Sequence, residues 1–88
     1  MSSVSLTVMD PAGIHARTAA HLARTAAPFA SIVRARNLSR GGDAADCRSI
    51  LSVLGLAATL GHVIELSADG PDAEEALLAC AAVFDAEP

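Results

Sequence analysis

The sequence predicts an α+β domain of βαββαβα order. Three helices cover one face of a four-stranded antiparallel sheet and leave the other face to water, an open-faced sandwich. Three observations lead there. Segments with a two-residue apolar period alternate with segments of helical period along 88 residues. Turn-forming residues separate these segments: Asp10 to Gly13, Pro28, Gly41 with Gly42, and Asp69 with Gly70. The composition is 52% hydrophobic but only 2% aromatic, so much of the core must be built from Ala, Val, Leu and Ile, which suits helices packed closely on a sheet. A chain of this length holds one core, hence a single domain over residues 1–88.

Taken in order, Val4, Leu6 and Val8 alternate with Ser5 and Thr7, placing three β-compatible side chains on one face of the first strand. From Ala16 to Ala27 the period becomes helical, with Ala19, Leu22, Ala23 and Ala26 as the buried stripe and Pro28 as the stop. Arg17, His21 and Arg24 are spaced by four and three residues, so they share an exposed flank of that helix. Ile32 to Arg36 reads as the second strand, Val33 and Ala35 inward, Arg34 and Arg36 outward. A short third strand follows near Asp43 to Asp46. Ser49 then supplies an N-cap hydroxyl for a short helix carrying Ile50, Leu51, Val53 and Leu54, which ends near Gly55. Val63 to Ala68 is the fourth strand. Pro71 fits the first position of the last helix, Asp72, Glu74 and Glu75 complement its dipole, and Ala73, Leu77, Cys80 and Phe84 form its buried stripe.

Charge narrows the function. Six Arg and no Lys stand against ten acidic residues, a formal net charge of -4, which is the wrong balance for a general nucleic-acid binder. An RNA-binding sandwich would need aromatics on its sheet or a basic face, and the sequence offers neither. Cys47 and Cys80 are isolated thiols outside any CxxC spacing, read as small buried hydrophobes. With no secretory pattern at the start and no apolar run of about 20 residues, the expected location is a reducing cytoplasm, without membrane insertion. His15, His21 and His62 form no metal-ligand spacing with one another, so neither metal nor cofactor is expected. His62 reads as a solvated residue before a strand, and His21 as a rim contact.

The polar information concentrates in Gly13-Ile14-His15-Ala16-Arg17-Thr18-Ala19-Ala20. His15 falls where turn becomes helix, beside backbone amides that have no intrahelical partner and that attract anions. A neutral imidazole is a nucleophile at cellular pH, and a phosphoryl group on it would meet amides, dipole and the Arg17 guanidinium together. That suits a reversible phosphohistidine. The plain alternative is that His15 is an ordinary polar residue before a helix.

This segment resembles the active-site segment of the HPr family, the histidine-containing phosphocarriers of the bacterial phosphoenolpyruvate:sugar phosphotransferase system. Arg48-Ser49-Ile50-Leu51, Leu56 with Gly61, and Ser67 to Ala76 resemble further segments of the family, so the likeness covers nearly the whole chain. The family fold is an open-faced sandwich of the order read above from periodicity. The resemblance implies that His15 is the phosphoryl acceptor, through Nδ1, with Arg17 as the phosphate's cationic partner. Phosphoenolpyruvate would supply the group through enzyme I, and a IIA component would receive it. Mg²⁺ belongs to enzyme I. Ala20, Arg24, Arg48, Ile50, Leu51 and Leu54 match the family's docking positions, and a monomer docking each partner in turn needs only a modest, transient surface. The resemblance also adds regulatory phosphorylation of Ser49 by an ATP-dependent HPr kinase.

Three departures from the family pattern stand out. Thr18 replaces the usual proline, removing a fixed φ at the helix start and predicting slower transfer. The connection from Asn37 to Asp46 is about three residues longer than usual, an insertion that costs little in loop entropy and is expected to spare the site. Ala27 and Ser52 stand where Lys is frequent, which thins the basic rim. The rival to a covalent carrier is a regulatory module on the same fold that binds partners without carrying phosphate. Retention of both His15 and Arg17 argues against it.

Overall fold

Four strands and three helices follow one another along residues 2–86, the part of the chain that the computed structural model describes. They are β1 (Ser2–Thr7), α1 (Ala16–Ala26), β2 (Ile32–Asn37), β3 (Ala45–Asp46), α2 (Ile50–Leu54), β4 (Val63–Asp69) and α3 (Ala73–Ala86). The strands form one antiparallel sheet in the order β1-β4-β2-β3. The βαββαβα reading therefore holds.

Alternation decides which face is covered. Val33 and Ala35 of β2, and Ile64, Leu66 and Ala68 of β4, are buried, whereas Arg34 and Arg36 between them are exposed. The register sets Ala35 against Leu66 and Arg36 against Glu65, so each face keeps its character across the strand pair. The apolar face meets Ala19, Leu22 and Ala26 of α1, Val53 of α2, and Ala76, Leu77, Cys80 and Val83 of α3 in one cluster. Full burial of side chains such as Leu22, Ile64 and Leu66 is worth roughly 1.5–3 kcal/mol each. Cys47 and Cys80 lie in this core as free thiols. Burial, the main cause in both, pushes Cys47 up to about 12 and Cys80 up to about 11. Among the described residues no helix is long and apolar enough to cross a membrane.

Several local expectations are corrected. β1 stops at Thr7, so the expected inward trio is split: Val8 is buried beyond the strand, Leu6 is half-buried and Val4 is 39% exposed. β1 is an edge strand with a neighbour on one side only, which gives its outer residues less cover. β3 shrinks to two residues, pairing only through Arg34 with Asp46 and Ala35 with Ala45. In α1 the stripe takes in Thr18, 3% exposed, while Ala23 is only half-buried. In α3, Leu77 and Cys80 are buried as expected, Ala76 and Val83 join them, and Ala73 and Phe84 pack at the margin.

Pro71 is not in the last helix. The Asp72 carbonyl accepts from the Ala76 amide and so opens α3, placing Pro71 in the preceding turn. The Asp72 carboxylate turns instead to the segment before β2. It accepts from the Ala30 amide at 3.0 Å, the Ser31 amide at 2.8 Å and the Ser31 hydroxyl at 2.5 Å. Gly70 makes this junction possible, since a Cβ there would lie 2.6 Å from Ser31 Cα.

Candidate functional site

The turn after β1 is built to present His15. Asp10 starts it, its carbonyl accepting from the Gly13 amide at 2.8 Å and its Oδ1 from the Ala12 amide at 2.8 Å, an Asx turn. Gly13 sits at φ +70, where a Cβ would run into the Ala58 carbonyl oxygen, so no other residue fits without displacement. The next amide, Ile14, donates to that same oxygen at 3.0 Å. Ile14 is buried, which anchors the chain one residue before the histidine.

His15 is the N-cap residue of α1, with extended backbone at φ -107 and ψ 178 and no side-chain cap bond. The first helical bond runs from the Ala19 amide to the His15 carbonyl, so the amides of residues 16–18 precede the hydrogen-bonded ladder. The imidazole is 29% exposed, and its Nε2 lies 3.2 Å from Asp10 Oδ2 and 3.2 Å from Thr18 Oγ1. The Ala12 amide first, then the His15 ring and the Arg17 charge, hold the Asp10 carboxyl below its ordinary range, against the opposing effect of desolvation.

Arg17 is exposed in the first turn of α1, and its charge acts on Asp10. The remaining expected residues lie on two helices that pack against each other. On α1, Ala20 is half-buried and Arg24 exposed; on α2, Leu51 is 82% and Ile50 40% exposed, with Leu54 half-buried. Exposed apolar side chains at adjoining positions on so short a helix form a local apolar patch. Arg48 precedes this helix and is not an open cation. Its guanidinium forks onto Asp46 through Nε at 3.2 Å and Nη2 at 2.9 Å, lowering the Asp46 carboxyl and raising the arginine.

Ser49 caps α2 as expected, its Oγ accepting from the Ser52 amide at 3.2 Å. The longer connection after β2 borders this helix, because Arg40 to Ala45 line an open depression together with Ser52, Gly55 and Leu56. His21 is half-buried on α1. His62 is not simply solvated: its Nδ1 lies 3.0 Å from Asn37 Nδ2 and accepts from the Thr59 amide at 3.3 Å. Among the described residues no group of three or more His, Cys, Asp or Glu is placed to hold a metal ion.

Two members of the site escaped sequence reasoning. Asp10 was legible only as a turn residue, although an acid opening an Asx turn five residues before a histidine is a usable signal. Thr18 was legible as a departure from proline, but its spacing of three from His15 is what brings its hydroxyl to the ring.

Comparison with known proteins agrees with this geometry. The family described as PTS HPr component phosphorylation site matches residues 2–86. The chain is 41% identical over 84 residues to the phosphocarrier protein HPr of Lysinibacillus sphaericus, covering 96% of this chain and 92% of that one. Against phosphocarrier protein HPr of Cupriavidus necator the identity is 40% over 78 residues, covering 89% and 84%. The structure superposes on the histidine-containing phosphocarrier protein of a mycoplasma with a TM-score of 0.87 at 30% identity, covering 94% of this chain and 91% of that one. The chain belongs to the HPr family and is a phosphocarrier of the phosphotransferase system.

Proposed function

We propose that the carried phosphoryl group resides on His15, as a covalent phosphohistidine formed from enzyme I and passed to a IIA component. The protein is then consumed and regenerated within the relay, with no turnover of its own. The observation that carries this reading is the placement of His15: a partly exposed imidazole at the N-cap of α1, making no cap bond, ahead of the amides of residues 16–18. Those amides and the helix dipole favour an anion at that end, and Arg17 in the same turn adds a cation that can chelate phosphate oxygens.

Docking follows from the flanking surface. Ala20, Ile50, Leu51 and Leu54 supply an apolar centre, while Arg17 and Arg24 meet acidic partner groups and speed encounter. Arg48 contributes less to steering than its charge suggests, since Asp46 already neutralises it. Because donor and acceptor use the same histidine, they dock in turn on a monomer. This exchange belongs in the cytoplasm, and Ser49 at the cap of α2 is the candidate site for an HPr kinase.

The test is intact-mass measurement after mixing the protein with enzyme I from its own source, Mg²⁺ and phosphoenolpyruvate. One acid-labile phosphoryl group on the wild type and none on His15→Ala is the expected result. Phosphate retained by the variant on His21 or His62 refutes the assignment.

A further inference from the structure

Both side-chain oxygens that approach the His15 ring, Asp10 Oδ2 and Thr18 Oγ1, approach the same nitrogen, Nε2, each at 3.2 Å. An ionised carboxylate has no proton to give, so it can share this contact only if Nε2 carries one. Were Nε2 bare, its lone pair would face the carboxylate directly. A hydroxyl could satisfy either tautomer, so Thr18 follows the choice that Asp10 makes. From this we infer that Asp10 is a positioning residue for phosphotransfer: it keeps the His15 proton on Nε2 and thereby leaves the nucleophilic lone pair on Nδ1.

Asp10 is well placed for that task. Its Oδ1 is held by the Ala12 amide at 2.8 Å, which fixes the direction of Oδ2. The turn it opens is anchored by the Gly13 amide to the Asp10 carbonyl and by the Ile14 amide to the Ala58 carbonyl. The carboxylate is 16% exposed, the ring 29%, so the contact is partly shielded from water. The same shielding lets the carboxylate act on charge as well as on tautomer.

The step balances without any further reactant. The Nδ1 lone pair forms the new N–P bond while the electron pair of the donor's bond to phosphorus returns to the donor atom that carried the group. The proton stays on Nε2, and the positive charge that the ring gains lies against the Asp10 carboxylate. An acid that orients an imidazole, fixes its tautomer and stabilises its cationic form works by the logic of the catalytic triad, here in a group-transfer relay.

This inference rests on His15 as acceptor, and its test separates the two. In ¹⁵N-labelled protein, two-bond proton–nitrogen spectra of the neutral ring are recorded for the wild type, Asp10→Ala and Asp10→Asn. Phosphoryl transfer from phosphorylated enzyme I is timed for each. The expected wild-type spectrum has the proton on Nε2. In Asp10→Ala the shifts of the two ring nitrogens move toward each other and transfer slows about tenfold, the effect of losing one charge-assisted hydrogen bond. Asp10→Asn, which still offers an acceptor oxygen, restores the tautomer and part of the rate. A proton on Nδ1 in the wild type overturns the inference without any variant. Wild-type transfer rates in a folded Asp10→Ala also overturn it. If the wild type takes no phosphate on His15, the acceptor assignment fails instead, while the spectra still report the coupling to Asp10.

Discussion

The Thr18 hydroxyl lies 3.2 Å from Nε2 of His15, at the third position of the helix that the histidine caps. Thr18 stands where the family pattern has proline, a departure that by sequence alone predicts a loss of preset helix geometry. In the structure it is a buried part of the site, 3% exposed, with its oxygen on the imidazole. Proline is tolerated in a first helical turn, because the amide it lacks has no intrahelical partner there. Thr18→Pro is therefore expected to fold with a thermal midpoint near that of the wild type. It gives up the hydroxyl and one anion-facing amide, so transfer from enzyme I should be no faster than wild type and up to several-fold slower. Stopped-flow transfer kinetics check this. Faster transfer would show that a fixed φ matters more than the hydroxyl.

Asn37 is the buried hub at the other end of β2. Its Nδ2 donates to the Leu56 carbonyl at 3.1 Å and meets His62 Nδ1 at 3.0 Å, while its Oδ1 accepts from the Ser39 and Arg40 amides. It is fully buried, so truncation strands several polar groups where water does not readily replace the partner. Asn37→Ala is expected to lower stability by about 2–4 kcal/mol in urea titration. Transfer per folded molecule should be unchanged, since His15 has its own anchors.

Asp72 gives the fold an acid-sensitive joint. The Ser31 hydroxyl first, then the amides of Ala30 and Ser31, hold its carboxyl below its ordinary 3.8. With the folded value depressed, the contribution is complete above the unfolded value and is lost as pH falls through the folded one. Asp72→Asn should therefore lower the thermal midpoint at pH 7. The gap to the wild type should narrow as pH falls below the ordinary 3.8. A gap that stays constant down to low pH would mean that the bonds do not depend on the charge.

Ser49→Asp separates capping from docking. Aspartate is as good an N-cap as serine, so the bond to the Ser52 amide has a replacement and thermal stability should hold or rise. The added charge sits beside Ile50 and Leu51 and faces the acidic groups that Arg17 and Arg24 attract. Affinity for enzyme I, titrated at low salt, should drop several-fold. Unchanged affinity would place Ser49 outside the docking surface.

What the sequence displays is what local spacing encodes. Arg34 and Arg36 against Val33 and Ala35 fixed the facing of β2, and Ser49 before Ile50 marked the cap of α2, because each signal needs only near neighbours. The misreadings fall where the partner is far along the chain. Asp72 does open α3 through its carbonyl, but its carboxylate holds Ser31, 41 residues away; His62 does precede a strand, but its ring meets Asn37, 25 residues away. At the site, the Gly13 to Arg17 segment was legible as the junction of turn and helix with His15 at its start, whereas the contacts of the ring with Asp10 and Thr18 depended on the exact path of the turn.

The role of His15 as carrier is tested most directly by following a labelled phosphoryl group through the protein. Wild type and His15→Ala are loaded from radiolabelled phosphoenolpyruvate and enzyme I, freed of donor, then mixed with a IIA component from the same source. Label is expected on the peptide containing His15 in the wild type, with its passage to IIA in a single turnover, and neither is expected in the variant. Label that sits elsewhere, or that remains on the protein while an otherwise active IIA stays unlabelled, would contradict it.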